Sequence, residues 1–143
     1  MEIIAKCGNR CDLCPAYRGN IGKFGAQAVS DGWHKYLGFY LAPEKIACVG
    51  CINEGDRPSG DCAVRSCCAD KSVENCGHCE NAICPRLREN ITAIENLEQA
   101  SGDITKEAYE TYFKPYHNES ILKAIIDGRI SPTSNDKTVE NKC

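Results

Sequence analysis

Apolar residues recur at helical spacing most clearly in residues 85–128 of this chain. Leu87, Ile91, Ile94 and Leu97 follow one another at intervals of four, three and three, which places them on one face of a helix. Pro85 stands where that helix would begin and Ser101-Gly102-Asp103 where it would end. From Thr105 to His117 a second helix carries Tyr109, Tyr112, Phe113 and Tyr116 on one face, with Pro115 set to kink or end it. Such an aromatic stripe reads as core before it reads as a ligand cleft. A third helix runs from Glu119 to Asp127 on Ile121, Leu122, Ile125 and Ile126, closed by Gly128.

The earlier part of the chain is patterned more weakly. Residues 24–40 read as helical, with Phe24, Val29, Trp33, Tyr36, Leu37 and Tyr40 as the apolar set and Gly38 weakening the end. Pro15 suits the first turn of a short helix, and Ala42 to Ile46 reads as a single turn. Residues 53–60 are loop by composition, and Asp61 is placed to cap a short helix over 62–70. The expected fold is therefore mostly α, in three parts. Residues 1–84 are a cysteine-rich region, 85–128 a helical segment packed on it, and 129–143 a polar, flexible tail.

Composition explains how so weakly patterned a region could fold. Twelve of the 143 residues are cysteine, against three Phe and one Trp. Apolar burial alone is a poor match for chain entropy in residues 1–84, and a bound structural zinc contributes about 10–16 kcal/mol to folding. The net charge is −3 and no basic tract is present, so nucleic-acid binding is not expected. No apolar run approaches the ~20 residues of a membrane span, and the opening residues lead straight into Cys7 without a leader-like segment. A cytoplasmic location follows as an expectation, and in that reducing setting the cysteines read as metal ligands rather than disulfides.

Their spacing supports this. Cys11-Asp-Leu-Cys14, Cys48-Val-Gly-Cys51 and Cys76-Gly-His-Cys79 are C-x-x-C pairs, each able to offer two thiolates to one ion. Cys11, Cys14, Cys48 and Cys51 make one four-thiolate set of zinc-ribbon or treble-clef type. Cys67, Cys76, Cys79 and Cys84 make a second, with Cys62 the nearest substitute. Cys68 is expected to point elsewhere as a buried thiol, His78 to be exposed, and Cys143 to be unrelated. Cys7-x3-Cys11-x2-Cys14 also matches the iron–sulfur spacing of radical S-adenosylmethionine enzymes, but no alternating strand–helix pattern follows it. Thiolates hold zinc and iron–sulfur clusters alike, so an iron–sulfur centre remains the alternative to about two zinc ions. His34, His78 and His117 fall in no nucleophile motif, and catalysis is not the favoured expectation.

Taken in order, Cys7-Gly8, Cys11, Cys14-Pro15-Ala16-Tyr17, Cys48-Val49-Gly50-Cys51, Cys62 to Ala69, Lys71, Val73, Asn75-Cys76, Cys79 and Cys84 before Leu87 resemble a cysteine-rich family of unknown function from small bacterial and archaeal proteins. The resemblance covers about residues 5–95. It implies a zinc-binding domain of uncharacterised role and adds Cys7 and Cys62 to the eight cysteines above. Arg65 and Lys71 match the pattern too, and are expected to offset thiolate charge. Ala82-Ile83 departs from it, standing where the pattern has an aromatic residue and a proline. The functional expectation is an interaction or regulatory module with structural zinc and a protein partner. A small metalloenzyme or redox protein using Cys7, Cys11 and Cys14 is the alternative.

Overall fold

A computed structural model describes residues 2–58 and 60–128; the expected tail at 129–143, with Cys143, lies outside the described residues. The periodic part of the sequence folds as its pattern requires. We number as α4 the helix Pro85–Ala100, with Pro85 in its first turn and Leu87 and Ile91 buried along one stripe. The helix α5, Lys106–Tyr112, is capped by Thr105, whose hydroxyl accepts the Ala108 amide at 3.1 Å. It ends before the expected His117, because Pro115 disfavours helical geometry at the residue before it and brings no N–H of its own. The chain tightens instead into a 3₁₀ turn, Lys114–Tyr116. Helix α6, Asn118–Ile126, buries Leu122 and Ile125, and Gly128 closes it at φ +75°.

Upstream, the single helix expected over 24–40 is broken. Ile21–Phe24 forms α1, Gly25 turns the chain at φ +87°, and Ala26–Gly32 forms α2. A wider π-type turn, Trp33–Leu37, then ends at Gly38, φ +76°. Gly32 lacks a side chain where the Tyr112 ring packs, which lets the Tyr112 hydroxyl reach Ala28 O at 3.1 Å. Tyr40 is exposed rather than core. Helix α3, Ala63–Lys71, begins one residue after Cys62, and Asp61 does not cap it. Pro15 sits in a turn, not a helix.

The six α-helices together with the π-type and 3₁₀ turns make 52% of the described residues helical, with no strand or sheet among them, so the fold is mostly α. None of these helices is long and apolar enough to cross a membrane. Two apolar clusters lie beneath them. Ala16, Val29, Trp33, Ile46 and Tyr116 form the first; Val64, Leu87, Ile91 and Leu122 form the second. Each draws on both the cysteine-rich region and the C-terminal helices. Cys14 packs against the first cluster, and Cys7, Cys62, Cys76 and Cys84 against the second.

Candidate metal centre

All eleven cysteines among the described residues are free thiols, and all but Cys68 are partly accessible. The first knuckle, Cys11 to Cys14, is fixed from both ends. Asp12 accepts Ile3 N–H at 3.0 Å and a paired contact from Arg10, with Nε at 2.8 Å and NH2 at 2.6 Å. Asn20 donates to the carbonyls of Asp12 and Cys14. Asp12 is therefore a built-in brace. Burial opposes its charge, but the hydrogen bonds from Arg10 and Ile3 win and hold its carboxyl below the usual range.

The second knuckle, Cys48 to Cys51, docks directly on the first. Tyr17 and Cys48 form an isolated parallel bridge, with Cys48 N donating to Ala16 O and Arg18 N to Cys48 O, both at 2.8 Å. Gly50 takes φ +82°, and a Cβ there would lie 3.8 Å from Cys11 Sγ. Its amide donates to Cys48 Sγ at 3.4 Å. Amides of Ala16 and Tyr17 serve Cys14 in the same way, and that of Asn9 serves Cys7. An amide two residues beyond a cysteine thus turns back onto the sulfur at Cys7, Cys14 and Cys48. These donors favour a thiolate.

Protonation reflects how closely the sulfurs gather. Burial pushes the Cys7 thiol up to about 12, and charge on Cys51 and Cys62 pushes it the same way. Burial also raises Cys11, with repulsion from Cys51, Cys14, Cys48 and Cys7 added. Cys14 and Cys48 are raised by burial, against amide donors, with Tyr116 opposing at Cys14 and Arg57 and Arg65 opposing at Cys48. Six cysteines, Cys7, Cys11, Cys14, Cys48, Cys51 and Cys62, therefore lie within reach of one another's charge, four of them the expected first set. As they stand, no three His, Cys, Asp or Glu side chains among the described residues converge closely enough to hold an ion. The chemistry of the donor set nevertheless fits a thiophilic cation, which would displace the thiol protons.

Tyr116 was not foreseeable as part of this site. Its ring is buried, its oxygen receives Trp33 Nε1–H at 3.2 Å, and it lies 3.1 Å from Cys14 Sγ. Against a Cys14 thiolate the tyrosine hydroxyl is the donor, since a thiolate has no proton to give. Burial and the nearby Cys14 hold that phenol in its protonated form. No local signal in the sequence links positions 14 and 116.

The expected second set is brought together only in part. Cys76 Sγ lies 3.7 Å from Cys68 Sγ, and charge on Cys7 and Cys84 reaches Cys76 as well. Cys67 sits half-buried on α3, turned about 100° from Cys68. Cys79 Sγ receives Lys71 Nζ at 3.6 Å, in keeping with the expected offset of sulfur charge. Cys62 precedes α3 and packs against the second apolar cluster. His78 is half-buried, with Nε2 3.8 Å from Glu74 Oε2, and burial lowers its pKa. The i, i+4 stripe of Val64 and Cys68 was the available signal for Cys68.

No curated protein and no solved structure matches this chain. Residues 3–89, more than half of it, match a family described as "Protein of unknown function (DUF3795)". That match takes in both knuckles, α3 and the Cys76–Cys84 turn, and stops inside α4. This cysteine-rich, mostly helical chain belongs to the DUF3795 family.

Proposed function

We propose that this chain is a zinc-binding protein in which Cys11, Cys14, Cys48 and Cys51 hold a structural ion. The observation that carries the reading is the docking of two C-x-x-C knuckles. Gly50, at φ +82°, turns the second knuckle within van der Waals reach of the Cys11 sulfur, and amides turn back onto Cys14 and Cys48. Four thiolates and one divalent ion carry a formal charge of −2, and the guanidinium groups of Arg57 and Arg65 lie close enough to favour the Cys48 thiolate. Arg57 is itself held on the second knuckle, its Nε donating to Gly50 O at 2.7 Å.

A closed four-thiolate shell leaves no position for water or substrate, so the ion contributes stability rather than chemistry. On this reading function lies in the protein surface that the ion organises, as an interaction or regulatory module with a protein partner. A reducing compartment, the cytoplasm, goes with it, because oxidised thiols do not bind zinc.

Elemental analysis of protein purified without oxygen, with an absorption spectrum of the same sample, tests this reading. Zinc without a visible band is the expected result. Iron with acid-labile sulfide would replace it by the iron–sulfur alternative. Metal-free protein with unchanged circular dichroism would remove the structural ion altogether.

A further inference from the structure

Helix α3 points two residues inward, Val64 and Cys68, at i and i+4. Cys68 is 2% exposed, and its sulfur lies 3.7 Å from that of Cys76. Two thiolates on one tetrahedral ion, with metal–sulfur bonds of about 2.3 Å, stand about 3.8 Å apart. A disulfide would bring them to about 2.05 Å. The pair is thus spread to the bite of an ion.

The surroundings supply what the pair lacks. Lys6 O accepts Cys76 N–H at 2.8 Å and lies 3.9 Å from Cys68 Sγ, which clamps the residue before Cys7 between the two. Cys7, Cys76 and Cys84 pack against one apolar wall formed by Val64, Leu87, Ile91 and Leu122. Gly8 lets the Cys7 turn close on α6, since a Cβ there would meet Leu122 Cγ at 2.7 Å. Gly77 does the same for the Cys76 turn, where a Cβ would meet Ile125 Cγ2 at 2.7 Å. Both turns are therefore pressed onto one helix, with their cysteines on the same side.

We propose a second thiolate centre for a zinc-like divalent cation, with Cys68 and Cys76 as the chelating pair and Cys7 and Cys84 completing the shell. This rests on the reading of the chain as a zinc protein and changes its ligand assignment. Cys67 and Cys79 are left out. The first lies on the neighbouring stripe of α3, and the second is not among the cysteines packed on that apolar wall. Cys7 is available because the first set needs only four sulfurs, and Cys11, Cys14, Cys48 and Cys51 provide them. Cys76 and Cys84 are partly accessible, which gives an ion a way in.

Zinc per chain, measured by elemental analysis on anaerobically purified protein, tests the assignment alongside alkylation of the half-exposed cysteines by iodoacetamide. Wild type should carry two zinc ions, with Cys76 and Cys84 protected until a chelator is added and Cys67 alkylated from the start. Cys68→Ser should fall to one ion, while Cys67→Ser keeps two. Should Cys68→Ser fail to fold, Cys84→Ser carries the same expectation. The proposal is overturned if Cys67→Ser loses an ion, or if folded Cys68→Ser or Cys84→Ser keeps two. One ion in wild type, with only the first four cysteines protected, overturns the second centre and leaves the first standing. A Cys68–Cys76 disulfide without a second ion makes the pair a redox couple instead and also overturns it. No metal at all overturns both.

Discussion

Around Cys48 the chain offers the sulfur an amide and two guanidinium groups; around Cys76 it offers another sulfur and a wall of aliphatic side chains. The first group sits on turns whose order comes from scattered backbone bonds, such as the Tyr17–Cys48 bridge, and from the Asp12 brace. The second is seated on helices, with Cys68 one turn from Val64 and two turns pressed onto α6. Helix packing is order that persists without an ion. A pair of docked knuckles has little to replace one.

Metal removal should separate the two regions most strongly. A structural zinc contributes about 10–16 kcal/mol to folding, and in residues 10–18 and 46–51 only Pro15, Ala16, Ile46 and Gly50 are buried without it. With a chelator in excess, amides in those segments should exchange rapidly while α4 and α6 keep part of their protection. Uniform loss across the chain would mean that the two groups fold as one unit and that the contrast is mistaken.

Leu122→Ala strikes the helical side of the comparison. Leu122 is fully buried beneath the Gly8 turn, and its truncation should cost about 2–5 kcal/mol in denaturant unfolding of the metal-loaded protein. Zinc on the first group should be retained. Release of all metal by this substitution would show that α6 supports both groups equally.

Tyr116→Phe does the reverse. It removes the hydroxyl donor to Cys14 Sγ and leaves the buried Trp33 N–H without its acceptor. The expected cost is about 1–3 kcal/mol. Zinc affinity of the first group should fall about 10–100-fold, the usual consequence of losing a hydrogen bond that orients a ligand. A cobalt-substituted sample should show a shifted thiolate-to-metal band. An unchanged band and affinity would reduce Tyr116 to a packing residue.

The smallest effect concerns acid. Asp12 has its folded pKa depressed, so the stability it contributes is present above the unfolded value of about 3.9 and is lost as pH falls through the folded value. Comparing wild type with Asp12→Asn between pH 6 and pH 3 isolates this from protonation of the thiols. The stability difference should shrink toward the acid end. A difference that stays constant with pH would show that Asp12 acts through its hydrogen-bonding shape and not its charge.

The elements legible from spacing were those with one apolar stripe to bury. Leu87, Ile91, Ile94 and Leu97 located α4, and Leu122 with Ile125 located α6, to within a residue at their starts. Where several local preferences compete, the pattern misled. Gly25 breaks the helix expected over 24–40, since its positive φ is incompatible with helix continuation, and α5 stops short because Pro115 acts on its predecessors. The C-x-x-C spacing identified which cysteines come in pairs, because a two-residue gap fixes a local turn. It could not identify which cysteine stands beside Cys76. Cys68 looked like the spare thiol of an adjacent pair, yet the rotation of α3 onto Leu87 and Ile91 sets it opposite Cys76.

Sequence by itself determined the fold class, the helices α4 and α6 and the supply of thiols, because these depend on local spacing and composition. Tertiary structure decided the grouping: Cys11 beside Gly50, Tyr116 on Cys14, Cys68 against Cys76. Those contacts join positions as far apart as 14 and 116. They arise only when two apolar clusters, each assembled from both halves of the chain, fix the rotation of every helix and turn around them.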